Sequence, residues 1–142
     1  MNKYHTGKIY KLVNTVDDDI YVGSTHHPLT VRLSLHKYHG KIKSSKVYQH
    51  LNSIGFHNIR IELIEDYPCT CRKELEDRER YWIETLKPAL NKNIPSRTKE
   101  EMREIKRRIA QVYNEAHREH INARMKELYW LRKAKKDNLA ST

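Results

Sequence analysis

The chain has 142 residues, 28 of them Lys or Arg against 18 Asp or Glu, for a net charge of +10 and a pI near 9.6. That length fits one compact domain with an appendage, and so basic a balance makes a polyanion the expected partner. No apolar run approaches the ~20 residues that span a bilayer, the start Met1-Asn2-Lys3-Tyr4-His5 lacks the apolar stretch of a signal peptide, and Cys69 and Cys71 are too close to build a disulfide framework. A protein of an intracellular compartment (cytoplasm, nucleus or nucleoid, of cellular or viral origin) is therefore expected, without membrane partners.

The first element in the chain is a strand over residues 8–13, Lys-Ile-Tyr-Lys-Leu-Val. Asn14 to Asp19 reads as a polar turn, and Ile20-Tyr21-Val22-Gly23 as the returning strand of a hairpin. Asp17-Asp18-Asp19 belongs to that turn, since Asp favours such positions. A helix is expected from Leu29 to Tyr38, opened by His27-Pro28 and closed by Gly40. Ser44 or Ser45 could cap a second helix with Val47, Leu51 and Ile54 on one face, stopped by Gly55. Ile59, Ile61 and Leu63 alternate with polar residues as a third strand. A third helix runs from about Arg72 to Leu86 and stops before Pro88.

This order implies an α+β fold, a small three-stranded antiparallel sheet flanked by helices. The domain is expected to occupy residues 1–97, because every Gly and every Pro lies there, along with 24 of the 31 Leu, Ile, Val and Phe residues. Residues 98–142 form a breaker-free basic tail, a long C-terminal helix opened by a capping box at Thr98-Lys99-Glu100-Glu101. Its apolar residues Met102, Ile105, Ile109, Val112 and Ala116 follow a seam-like spacing, which then breaks and resumes one residue late at Ile121. Three uses are open to such a tail: DNA contact, docking on the domain, or a homodimer through the helix.

Two helices carry polar residues inside apolar stripes. On the third helix Leu75, Trp82, Ile83 and Leu86 share a face, and Glu79 occupies the i+4 position of that face. A core-facing carboxylate costs several kcal/mol unless paired or ligated. An ion pair, an edge position reaching solvent, or a bound metal would each account for it. On the first helix Arg32 and His36 share the face of Leu29 and Leu33. The hairpin adds Tyr10 and Tyr21, one per strand. A carboxylate, an Arg, a His and two Tyr in a basic protein suit metal-assisted phosphodiester hydrolysis.

These residues fall in five ordered segments: Gly7-Lys8-Ile9-Tyr10, then Tyr21-Val22-Gly23-Ser24-Thr25 eleven residues after Tyr10, Arg32-Leu33-Ser34-Leu35-His36, Arg78-Glu79-Arg80-Tyr81-Trp82-Ile83, and Leu86-Lys87-Pro88-Ala89-Leu90-Asn91. In that order and spacing the chain resembles the GIY-YIG endonuclease family over roughly residues 7–95. One departure is Lys8, which stands where the family has Gly directly before Ile-Tyr. The resemblance implies a DNA endonuclease with one divalent cation, Mg²⁺ or Mn²⁺, held by Glu79. It implies Arg32 at the scissile phosphate and Tyr10 as general base, a role that needs a depressed phenol pKa. Tyr21 and His36 would position water and phosphate or assist proton transfer, and Asn91 would orient the site from behind the third helix. The alternative is a catalytically inactive nucleic-acid-binding module of the same fold. Duplex and branched DNA are both admissible substrates.

Basic residues beside these segments are candidate nucleic-acid contacts: Lys37, Lys41, Lys43 and Lys46 after the first helix, and Arg107 and Arg108 in the tail. Cys69-Thr70-Cys71 lacks the spacing and the second pair of a zinc site.

Overall fold

The computed structural model describes residues 1–141. Its centre is the strand β1 (Lys8–Asn14), which pairs antiparallel with β2 (Tyr21–Thr25) on one side and β3 (Ile59–Asp66) on the other. Among the described residues there are also five α-helices, α1 (Leu29–Ile42), α2 (Lys46–Ile54), α3 (Arg72–Leu86), α4 (Lys99–Ala116) and α5 (Arg118–Ala140), and two short 3-10 turns, Lys3–Thr6 and Phe56–Asn58. The class is α+β, as the element order implies. Among the described residues no helix is long and apolar enough to cross a membrane.

Strand alternation sends the side chains of β1 to two separate cores. Tyr10 and Leu12 pack with Tyr48 and Leu51 of α2, Ile59 of β3 and Leu90. Ile9 and Val22 pack with Cys69 and with Leu75 and Ile83 of α3. Helices therefore cover both faces, with the sheet as the middle layer. A register shift between Ile9 and Tyr10 marks a bulge where β1 meets β3. Leu63, which the alternation places among the inward residues of β3, is instead 45% exposed.

A polar clamp fixes α3 against β3. Glu65 accepts two hydrogen bonds from Arg78, at 2.7 and 2.9 Å, and one from the Trp82 indole at 2.8 Å. The Arg78 guanidinium also lies 4.4 Å from the Tyr81 ring centre. Charge-assisted bidentate contacts of this kind fix rotation as well as position. They set which face of α3 looks toward β2.

Two helices differ from the periodicity-based expectation. α1 does not end at Tyr38; it continues through a buried Gly40 to Ile42. Gly40 serves packing there, since a Cβ on it would sit 2.7 Å from the Phe56 ring. The tail is two helices, with the break at His117 (φ −112°, ψ 18°), where the apolar spacing changes phase. The capping box at its start is formed, with Thr98 accepting from the Glu101 amide and Glu101 accepting from the Thr98 amide. By contacts the chain divides into two compact units, Met1–Ser96 and Arg97–Thr142.

Candidate active site

β2 is an edge strand, and the site forms around it. Tyr21 and Gly23 look toward α1, whereas Ser24 looks toward α3. The register places Gly23 directly opposite Tyr10. A Cβ on Gly23 would lie 2.5 Å from the Tyr10 hydroxyl and 3.0 Å from the Tyr21 ring. Only glycine leaves room for both phenols, which explains the glycine two residues after Tyr21.

Asn91 supports β2 from its free edge. Its side-chain amide accepts from the Val22 N–H and donates to the Val22 C=O, both at 2.8 Å. The Asn91 side chain thus supplies the backbone pairing that a further strand would have made. It holds the strand rather than lining the cleft.

Helical spacing brings Arg32 and His36 to one side of α1, one turn apart. Arg32 Nε donates to the Tyr10 hydroxyl at 2.8 Å, and that hydroxyl lies 2.7 Å from His36 Nε2. His36 is 3% exposed and its ring stands edge-on to both Tyr10 and Tyr21. Burial first, then the Arg32 charge, pushes the His36 pKa down to about 3, so the imidazole is neutral. Tyr10 is fully buried, and its phenol is raised well above the ordinary value by burial and by Tyr21. Arg32 opposes that shift but does not overcome it. Proximity to Arg32 alone therefore does not supply the depressed phenol pKa that a general-base role requires. Burial likewise lifts Tyr21 to about 12.

Glu79 reaches the site from the α3 side. The Ser24 hydroxyl donates to its Oε2. Burial raises the carboxyl pKa, with the Ser24 bond and Arg32 acting against the rise and Glu76 adding to it. Glu79, Arg32, Tyr21 and Ser24 line one cleft of about 410 Å³. The mouth of that cleft adds Lys3, His26 and Arg72. Arg72 is held by Glu76 at 2.7 Å.

The donor chemistry suits a hard divalent cation. Glu79 is a withdrawn carboxylate whose pKa is raised by burial, and among the described residues it makes no ion pair. A bound cation would offset that burial, with the remaining positions left to water and substrate oxygens. A second set of donors, Asp17, Asp19 and His50, lies within 4.8 Å of one another at the β1–β2 turn. There Asp17 accepts from Asn14 and the Asp19 amide, and His50 lies 3.1 Å from Asp17. These contacts close the turn and tie it to α2, in keeping with the turn role of the Asp run.

The structure thus gathers Tyr10, Tyr21, Arg32, His36 and Glu79 at one place, with Asn91 behind them. The lysines do not join them. Lys37, Lys41, Lys43 and Lys46 are exposed and none lines the cleft. Lys46 borders a smaller hollow of about 250 Å³ with Tyr21 and Asn91. Arg107 and Arg108 are exposed on α4 and pair with Glu104. Sequence reasoning gave no role to Ser24, Lys3, Arg72 or Tyr48. Tyr48 could have been read from its i, i+3 relation to Leu51; Lys3 and Arg72 have no local signal.

A family model of the GIY-YIG catalytic domain matches residues 6–93. Neither the curated proteins nor the solved structures gave a match. The matched span covers more than half of the chain and contains the whole sheet and every residue of the cluster just described. The chain belongs to the GIY-YIG family of nucleases.

Proposed function

We propose that the protein is a metal-dependent DNA endonuclease whose catalytic unit is Met1–Ser96. The observation that carries this reading is the convergence of Glu79, Arg32 and Tyr21 on one cleft, with Tyr10 and His36 hydrogen-bonded to each other behind it. A single divalent cation, Mg²⁺ or Mn²⁺, held by Glu79 and steadied through Ser24, would polarise the phosphate and the leaving oxygen. Arg32 meets the charge that develops on the scissile phosphate. Its Nε is already committed to Tyr10, so the guanidinium enters with its orientation set. Tyr10 takes the proton of the attacking water as its own passes to neutral His36, a concerted shift that forms no free phenolate and so does not call for a depressed phenol pKa. Tyr21 orients the phosphate and the water from the cleft wall. Asn91 keeps β2, and with it Tyr21 and Ser24, in place.

The basic tail is assigned to DNA contact. Residues 98–142 carry 12 Lys or Arg against 7 Asp or Glu, and α5 exposes Tyr129 and Trp130 beside Lys133. Aromatic faces among cations suit nucleic acid. No observation supports a homodimer.

The test is plasmid nicking with Mg²⁺ and with EDTA, by the wild type and by Glu79→Gln. The wild type is expected to cut only with the metal. The variant is expected to lose at least about 10²–10³-fold in rate, with DNA affinity nearly unchanged. Full activity in Glu79→Gln would remove the metal-ligand role. A wild type that binds DNA and cuts under no divalent metal would leave the inactive binding module as the reading.

A further inference from the structure

The Tyr10 hydroxyl ends a hydrogen-bonded chain that leads away from the cleft. Its contacts are Arg32 Nε at 2.8 Å and His36 Nε2 at 2.7 Å. On the far side of the ring His36 Nδ1 lies 3.1 Å from the Tyr48 hydroxyl, and that hydroxyl lies 3.4 Å from His39 Nδ1. Tyr48 is buried, and His39 is only half-buried, beside the exposed Tyr38.

The chain has one direction. Arg32 Nε–H can only donate, so the Tyr10 oxygen accepts there; among the described residues His36 Nε2 is the acceptor within reach of the buried Tyr10 O–H, and donation to it leaves no polar atom of the phenol unsatisfied. The His36 proton then sits on Nδ1 and is donated to Tyr48. The Tyr48 O–H is left to donate to His39 Nδ1. Every link agrees with every other, from a buried phenol to an imidazole near solvent.

We propose that Tyr48 and His39 are the outlet of a proton relay that carries the water-derived proton from Tyr10 out of the active site. The inference rests on the reading of Tyr10 as general base. As the water oxygen bonds to phosphorus and the P–O bond to the leaving group breaks, a water proton passes to Tyr10 Oη and the Tyr10 proton moves to His36 Nε2. The Nδ1 proton of His36 moves to Tyr48, the Tyr48 proton moves to His39 Nδ1, and His39 releases a proton to solvent. The leaving oxygen takes its proton from solvent. An outlet is needed because His36 cannot store the charge. A group with a pKa of about 3 holds a proton at neutral pH roughly once in 10⁴. Tyr48 and His39 touch no substrate; they are positioning residues that act through His36.

The test is single-turnover cleavage at saturating DNA. Tyr48→Phe keeps the ring and cuts the chain; His39→Ala removes only its surface end. Each is expected to lower the rate constant about tenfold or more, with DNA affinity and melting temperature held. Imidazole added to the buffer is expected to restore His39→Ala and not Tyr48→Phe. Wild-type rates in Tyr48→Phe, losses that track affinity or melting temperature, or a His39→Ala variant deaf to imidazole would each overturn the relay. Nitrogen chemical shifts of His36 give a readout independent of cleavage: the Nδ1–H tautomer is expected, and the Nε2–H tautomer overturns it. A wild type that never cleaves defeats the nuclease reading itself, whereas an active wild type matched by Tyr48→Phe defeats the relay alone.

Discussion

Gly23 shows how one missing side chain sets the chemistry of a site. The Tyr10 hydroxyl occupies the space its Cβ would fill, at 2.5 Å. Gly23→Ala must therefore move Tyr10 off both Arg32 and His36, or move β2 off its partner. Overpacking of this kind costs about 1–3 kcal/mol. A lowered melting temperature together with near-complete loss of cleavage is the expected result; cleavage at the wild-type rate would mean that the Tyr10 contacts are dispensable. His36 makes a second residue-scale prediction. Its folded pKa of about 3 lies below the ordinary imidazole value of about 6.5, so the unfolded chain binds the extra proton first. The stabilisation is complete above pH 6.5 and is lost as pH falls toward 3, by up to about 1.4 kcal/mol per unit. Urea unfolding across that interval should give a shallower pH dependence for His36→Gln than for the wild type. Equal slopes would show that the buried imidazole is not their source.

At the scale of elements, α1 carries the functional stripe and α2 braces it. Arg32, His36 and His39 follow helical spacing, while Gly40 lets α1 approach the Phe56 turn. Gly40→Ala tests that approach cleanly, because Ala is the better helix former by about 1 kcal/mol. If Gly40 served only as a helix terminator or a filler, the change would stabilise. The contact at 2.7 Å predicts the reverse: a lower melting temperature, recovered when Phe56→Leu is added. Stabilisation by Gly40→Ala alone would remove the packing role.

The same glycine shows what local sequence can and cannot carry. A glycine near the end of an apolar-periodic run reads as a stop, and nothing nearby reveals that Phe56, sixteen residues on, needs the space. The inward-facing Arg32, His36 and Glu79 were legible, because each breaks the apolar pattern of its own helix. The phase change of the tail was legible too, and the structure turns it into a helix break at His117. The Tyr10–His36–Tyr48–His39 chain was not, since it joins β1, α1 and α2 through long-range contacts that no spacing records. Nor was the raised phenol of Tyr10, which follows from burial at the centre of the sheet. The Ser24 bond to Glu79 depends on how α3 is clamped to β3 by Glu65, Arg78 and Trp82, and so on the assembled fold.

For the whole molecule, the candidate site lies on one part of the chain while the net charge is shared, +5 on residues 1–97 and +5 on residues 98–142. The matched catalytic span contains Tyr10, Tyr21, Arg32, His36, Glu79 and Asn91, whereas residues 98–142 contain none of them and carry their +5 on less than half as many residues as the rest of the chain. Part of that charge is neutralised internally, as where Arg107 and Arg108 pair with Glu104. The run Arg132, Lys133, Lys135 and Lys136 on α5 is exposed beside Trp130. Each phosphate neutralised by such a residue adds about 0.9 to the slope of log affinity against log salt on duplex DNA. Removing residues 98–142 should therefore weaken binding and flatten the salt dependence by about two to four units of slope, while the single-turnover rate at saturating DNA changes little. Filter binding over a salt series, paired with that rate, separates the two functions. If the truncated protein binds with the full slope, the phosphate contacts belong to the catalytic unit alone. If it binds normally but cuts slowly, the tail acts on the chemistry rather than on the hold.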